Sequence, residues 1–115
     1  MSDRLTDAVG RLSRIPGVLG ALLVDAEAGL PVVGELPDDS VAPAAAALAA
    51  SAYRRTGRAV GGANLGRLAS FRLEAASGQV LIAGGGGLLV VVIAEPGTPL
   101  GLVQFEARQV AEALS

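Results

Sequence analysis

Apolar residues recur along this chain in two distinct rhythms, one helical and one extended. Between residues 3 and 14, Leu5, Val9, Leu12 and Ile15 fall at helical spacing while Arg4, Asp7, Arg11 and Arg14 lie elsewhere, predicting a first helix with Ser2 as its cap. Pro16-Gly17 ends it. Val18 to Val24 is a continuous apolar run interrupted only by small residues, followed by the turn Asp25-Ala26-Glu27-Ala28-Gly29 and a short return strand, Leu30 to Val33. Asp25 is suited to bond nearby backbone and Gly29 to take a positive φ. Pro31 cannot donate to a sheet ladder, which places the return strand at an edge.

The rhythm then turns helical again. A second helix is expected from about Val41 to Thr56, capped by Asp39 or Ser40, with Pro43 in its first turn. Alanine surrounds it, and Leu48 is its one large apolar side chain between Val41 and Tyr53. Alanine favours the helix but fills little core volume, so this element suits close approach on two sides: the sheet and a partner helix. Tyr53-Arg54-Arg55-Thr56-Gly57-Arg58 is read as its C-terminal end, where the helix dipole alone would favour the arginines, and Gly61-Gly62-Ala63-Asn64 as the loop that follows.

Leu68 to Ala75 alternates, with Ala69, Phe71, Leu73 and Ala75 on one face and Ser70, Arg72 and Glu74 on the other, as a half-exposed strand does. Gln79 to Ala83 is the next strand, the tetrad Gly84–Gly87 a hairpin loop, and Leu88 to Ala94 a β-branched run buried on both faces. Thr98 is expected to cap a last helix with Pro99 at its first position and Leu100, Val103, Ala107, Val110 and Leu114 on its apolar face. The order α-β-β-α-β-β-β-α predicts one α+β domain over residues 1–115. Its five-stranded, meander-like antiparallel sheet is sandwiched by helices, with the two continuous apolar strands side by side at the centre.

Composition narrows the function. Hydrophobic residues make up 51% of the 115 and charged residues 17%, an apolar balance that suits burial against a partner. The net charge of −2 argues against a generic nucleic-acid binder. The uncharged stretch Ala75 to Ala94 is long enough to cross a bilayer, but its glycines favour two strands over a membrane helix. The N-terminus carries an acid and no apolar run, so the cytoplasm is the expected compartment. There is no Cys, Lys or His, which removes disulfides, Schiff-base and phosphate-loop lysines, histidine bases and histidine-ligated metals. A strand, not a helix N-terminus, follows the glycine tetrad, so it makes no phosphate cradle. No catalytic residue, metal or cofactor is expected.

Interaction is the remaining class. Strand 68–75, at a sheet edge, exposes unpaired backbone groups. Pairing with its own copy sets Arg72 against Glu74 of the partner and yields an isologous homodimer with one continuous sheet. The expected interface is Ala45, Leu48, Ala49 and Ala52 of the alanine helix with Ser70, Arg72 and Glu74 of the strand. Tyr53, Arg54, Arg55 and Arg58 are the expected contacts to a further partner.

Ile15-Pro16-Gly17-Val18 leading into G-A-L-L-V-D, Gly29-Leu30-Pro31, the alanine-rich helix, and Pro99-Leu100-Gly101-Leu102 opening a helix that ends Glu112-Ala113-Leu114 together resemble the roadblock (dynein light chain) family, related to the longin fold. The resemblance spans nearly the whole chain. It implies a homo- or heterodimer that binds a small Ras-like GTPase and modulates its nucleotide cycle, a regulator and not a catalyst. The alternatives are a structural adaptor of a motor or signalling complex, with no effect on GTP turnover, and a small-molecule sensor, for which few polar groups are present to orient a ligand.

Overall fold

A computed structural model describes residues 3–114 of the chain. The elements, in chain order, are α1 (Asp3–Ser13), β1 (Val18–Asp25), β2 (Leu30–Glu35), α2 (Ala42–Gly62), β3 (Ser70–Ala75), β4 (Gly78–Gly85), β5 (Leu88–Ala94) and α3 (Gly101–Leu114). Five antiparallel strands form one sheet in the order β2-β1-β5-β4-β3. The fold is mixed α+β with three helices, as the pattern predicts, and the two continuous apolar strands β1 and β5 pair at its centre. The sheet is not a simple meander, because α2 carries the chain from the edge strand β2 across to the opposite edge, β3.

Both faces of the central pair are covered. Ala21, Leu23, Leu81, Ala83, Val90, Val92 and Ala94 pack under α1 and α3 with Val9, Leu12, Val103, Ala107 and Val110. The intervening residues Leu22, Val24, Ile82, Leu89 and Val91 pack under α2 with Ala46, Ala49 and Ala50. The period-two alternation of strand side chains sorts one uninterrupted apolar run into two separate cores. The β1–β2 turn follows the sequence reading: Asp25 Oδ1 accepts from the amides of Glu27 and Ala28 at 3.0 and 2.9 Å, and Gly29 has φ 69°.

Several local expectations change. Ser2, expected to cap α1, lies outside the described residues. Helix α2 is longer than its apolar signal: Gly61 and Gly62 are helical, and the chain turns at Ala63-Asn64. Neither Asp39 nor Ser40 caps it. Instead Asp38 caps a short 3-10 turn, Asp39–Val41, accepting from the Ser40 amide at 3.0 Å, and α2 continues from there with Pro43 in its first turn. Hydrogen bonds from Ser40, its hydroxyl first and then its amide, hold the exposed Asp38 carboxyl below the usual carboxylate range. The last helix starts at Gly101, two residues after Pro99. Thr98 does not cap it; its hydroxyl donates to the Gly17 carbonyl at 3.5 Å, and its own carbonyl accepts from Gln79 Nε2 at 3.0 Å.

The glycine tetrad divides in two. Gly86 and Gly87, with φ 53° and 99°, are the two-residue turn between β4 and β5, a geometry that needs positive φ at both positions. Gly84 and Gly85 belong to β4 and are small for a packing reason. A Cβ on Gly84 would strike the Tyr53 hydroxyl and ring from α2, and one on Gly85 the Ala111 carbonyl of α3. Successive residues thus admit a helix on each face of the sheet.

Two alanine substitutions are expected to move stability in opposite directions. Gly85→Ala forces α3 outward and lowers the free energy of unfolding by about 1–3 kcal/mol. Gly61→Ala, at a helical position with nothing within 4 Å of the added methyl, raises it by about 0.5–1 kcal/mol. Urea titration of each variant measures both.

Candidate functional site

The two sheet edges differ in how they are protected. Strand β2 carries Pro31, and its register with β1 is irregular between Leu23 and Val24, both of which discourage further pairing. Strand β3 has no proline and pairs with β4 through six consecutive residue pairs without a register shift. Among the described residues it has no second strand neighbour, so its outer row of backbone groups faces no strand.

Cross-strand pairing assigns the side chains of β3 to faces. Phe71 and Leu73 sit opposite Ile82 and Val80, on the α2 side; Ser70, Arg72 and Glu74 sit opposite Ala83, Leu81 and Gln79, on the α3 side. Leu73 remains 38% exposed, since α2 leans over β1 and β2 and leaves this end of the sheet thinly covered. A narrow cleft remains between α2 and the sheet, lined by Ala45, Leu48, Ala49, Leu73, Val80 and Ile93 above Ile82 and Val91. Every one of these residues is apolar. Leu48, 56% exposed, overhangs it. An apolar cleft thus opens beside a regular strand edge.

The expected interface residues therefore fall into three groups. Ala45, Leu48 and Ala52 lie on or beside the cleft with accessible surface. Ala49 lines its floor but is 1% exposed, so it contributes to the chain's own core and offers no free surface, contrary to expectation. Arg72 and Glu74 are exposed on the opposite side of the same strand, while Ser70 is half-buried, its hydroxyl accepting from Gln104 Nε2 of α3 at 3.2 Å. Leu73, Val80 and Ile93 are missing from the expected set. Alternation had marked Leu73 as inward-facing, and only the position of α2 reveals that the inner face is uncovered there. Leu102 and Phe105 on α3, 56% and 58% exposed, also escaped the sequence pattern.

The expected partner contacts share one region of α2. Tyr53 is fixed by donating its hydroxyl to the Leu68 carbonyl at 2.8 Å. Arg54 Nη1 donates to the Ala26 carbonyl at 3.4 Å, tying α2 to the β1–β2 turn. Arg55 and Arg58 are exposed. Because α2 runs on to Gly62, its last turn holds no basic residue, and the helix dipole does not account for the cluster as the sequence reading supposed. Among the described residues, no group of acidic side chains could hold a metal ion, and no helix is long and apolar enough to cross a membrane.

A five-stranded antiparallel sheet with one helix on one face and two on the other is the architecture of roadblock and longin-like folds. The Roadblock/LC7 domain profile matches residues 5–94, and the chain belongs to that family. Among solved structures it is similar to a Roadblock/LC7 domain from Streptomyces avermitilis, with a TM-score of 0.82 and 20% identity over 99% of this chain and 93% of that one. It is similar also to the gliding protein MglB of Thermus thermophilus, with a TM-score of 0.84 and 20% identity over 97% and 86% of the two chains. An MglB structure described as having a tetrameric arrangement matches with a TM-score of 0.85 and 22% identity over 97% and 85%. No curated protein matches the sequence.

Proposed function

We propose that this chain is a homodimeric regulatory module that binds a small Ras-like GTPase and modulates its nucleotide cycle. The observation that carries the dimer is the wholly apolar cleft opening beside the regular edge of β3. Antiparallel pairing of two β3 strands about Leu73 brings Arg72 opposite Glu74 of the second copy on one face, and Leu73 opposite its own copy on the other. The charge pair adds a few tenths of a kcal/mol; burial of the leucines and of Leu48 supplies the larger share, at about 25 cal/mol per Å² of apolar surface. A two-fold axis normal to the sheet keeps both α2 helices on the same side, so the second copy supplies the cover this end of the sheet lacks.

Membership of the Roadblock/LC7 family supports the GTPase as partner, and the residues offered to it are Tyr53, Arg54, Arg55 and Arg58. Such a module acts by binding one arrangement of the GTPase's mobile loops better than the other, which shifts their population without contributing a catalytic group. The domain acts as a single unit in this reading.

Two measurements test it. Sedimentation equilibrium at micromolar concentration should return twice the 11.4 kDa chain mass. Leu73→Asp, which opposes two carboxylates across the axis, should return the single mass, while Leu30→Asp on the guarded β2 edge should not. A single mass for the unaltered protein refutes the dimer. Mixed with a Ras-like GTPase of the same organism, the dimer should change the rate of GTP hydrolysis or of nucleotide exchange. Binding with both rates unchanged would instead establish the adaptor role, and absence of binding would overturn the GTPase assignment.

A further inference from the structure

Charge is partitioned along this chain. Between Asp39 and Glu74 there is no acidic residue and there are five of the nine arginines, whereas the rest of the sequence holds all eleven acids and only four arginines. A protein with a net charge of −2 thus carries one strongly positive segment, and its centre is the second half of α2.

At 100° per residue, Arg54, Arg55 and Arg58 fall within a third of the helix circumference, and Gly57 and Gly61 lie along one flank of that arc. Nothing approaches within 4 Å of a Cβ placed on either glycine. Each glycine disfavours the helix by about 1 kcal/mol relative to alanine, and in contrast to Gly84 and Gly85 no packing within the chain requires it. Arg55 and Arg58 make no hydrogen bond or ion pair among the described residues, while Arg54 is held by the Ala26 carbonyl. Between this face and the β-turns lies a shallow hollow of about 580 Å³, floored by Gly57 and Tyr53 and bounded on its far side by Glu27.

We propose that this hollow receives an acidic segment of a protein partner. Carboxylates of the segment pair with Arg58 and with Arg54, whose guanidinium has donors beyond the one held by the Ala26 carbonyl, and an adjacent apolar side chain seats against the bare backbone at Gly57. Arginine suits the task, because its planar fork takes a carboxylate through two parallel hydrogen bonds. Glu27 sets the direction of the segment by excluding a third carboxylate from the far wall. The site also argues for a protein over an anionic bilayer: a flat lipid surface cannot enter a concavity, and Glu27 repels its headgroups. The inference rests on the reading that this part of α2 meets a partner, and it specifies that partner's chemistry.

The test uses the full chain, isotope-labelled, titrated with a synthetic peptide of glutamates flanking a central leucine and followed by backbone amide shifts. Saturable shifts at Arg54, Arg55, Gly57, Arg58 and Gly61 are expected. They should weaken with salt and be absent with a lysine-for-glutamate peptide. Arg54→Glu/Arg58→Glu should reduce peptide affinity at least about tenfold with the dimer mass unchanged, and the milder Arg54→Gln/Arg58→Gln should fall between. Shifts elsewhere, none at all, or equal binding by the reversed variant would overturn the proposal, as would binding of phosphatidylglycerol vesicles in place of the peptide. A GTPase that binds the reversed variant as tightly as the unaltered protein refutes this site while leaving the GTPase assignment standing. Peptide binding without any GTPase binding does the opposite.

Discussion

The pairing of β1 with β5 is the constraint from which the remainder follows. Both strands are apolar on both faces, so neither face of their shared sheet can be left to water. Two helices, α1 and α3, cover one side. A single alanine-rich helix covers the other, and because alanine fills little volume it sits close over one half of the sheet and leaves the other half thin. The apolar cleft beside β3 is the consequence of covering a five-stranded sheet with one slender helix. What makes it a candidate interface is its neighbour, an edge strand with regular pairing and no proline.

Close approach is achieved with glycine where packing demands it. Gly84 lies beneath Tyr53 and Gly85 beneath the Ala111 carbonyl, so two adjacent strand residues let helices settle on opposite faces. Gly57 and Gly61 of α2 have no such neighbour. Their positions beside Arg54 and Arg58 put bare backbone next to exposed positive charge on a helix that runs past its own packing surface. The same residue type thus marks intramolecular contact in β4 and vacant surface in α2.

Much of this architecture was legible in the residue pattern. Continuous runs identified the central strands, Pro31 identified one edge, and alternation in β3 identified the other; each depends on local rules of pairing and burial. The family resemblance rested on the order of those same pieces. Boundaries were harder where the signal was not apolar. Beyond Thr56, α2 continues through Gly57, Gly61 and Gly62 with Val60 as its one large apolar side chain, so nothing in the pattern marked that stretch as helical. That shorter reading also made the arginines look like a dipole-stabilised terminus. The lining of the cleft and the exposed side of β3 were legible only in part. Leu48, Arg72 and Glu74 could be found from periodicity, but Leu73, Val80 and Ile93 could not, since an inward-facing residue becomes available surface only if the covering helix lies elsewhere.

The central claim is that β3 is completed by a second copy of itself. Amide hydrogen exchange over Ser70–Ala75, measured at a concentration where the protein associates and again after dilution, addresses that claim most directly. The account predicts that the β3 amides not bonded to β4 are protected in the concentrated sample and lose protection on dilution. Fast exchange of those amides at every concentration would contradict it.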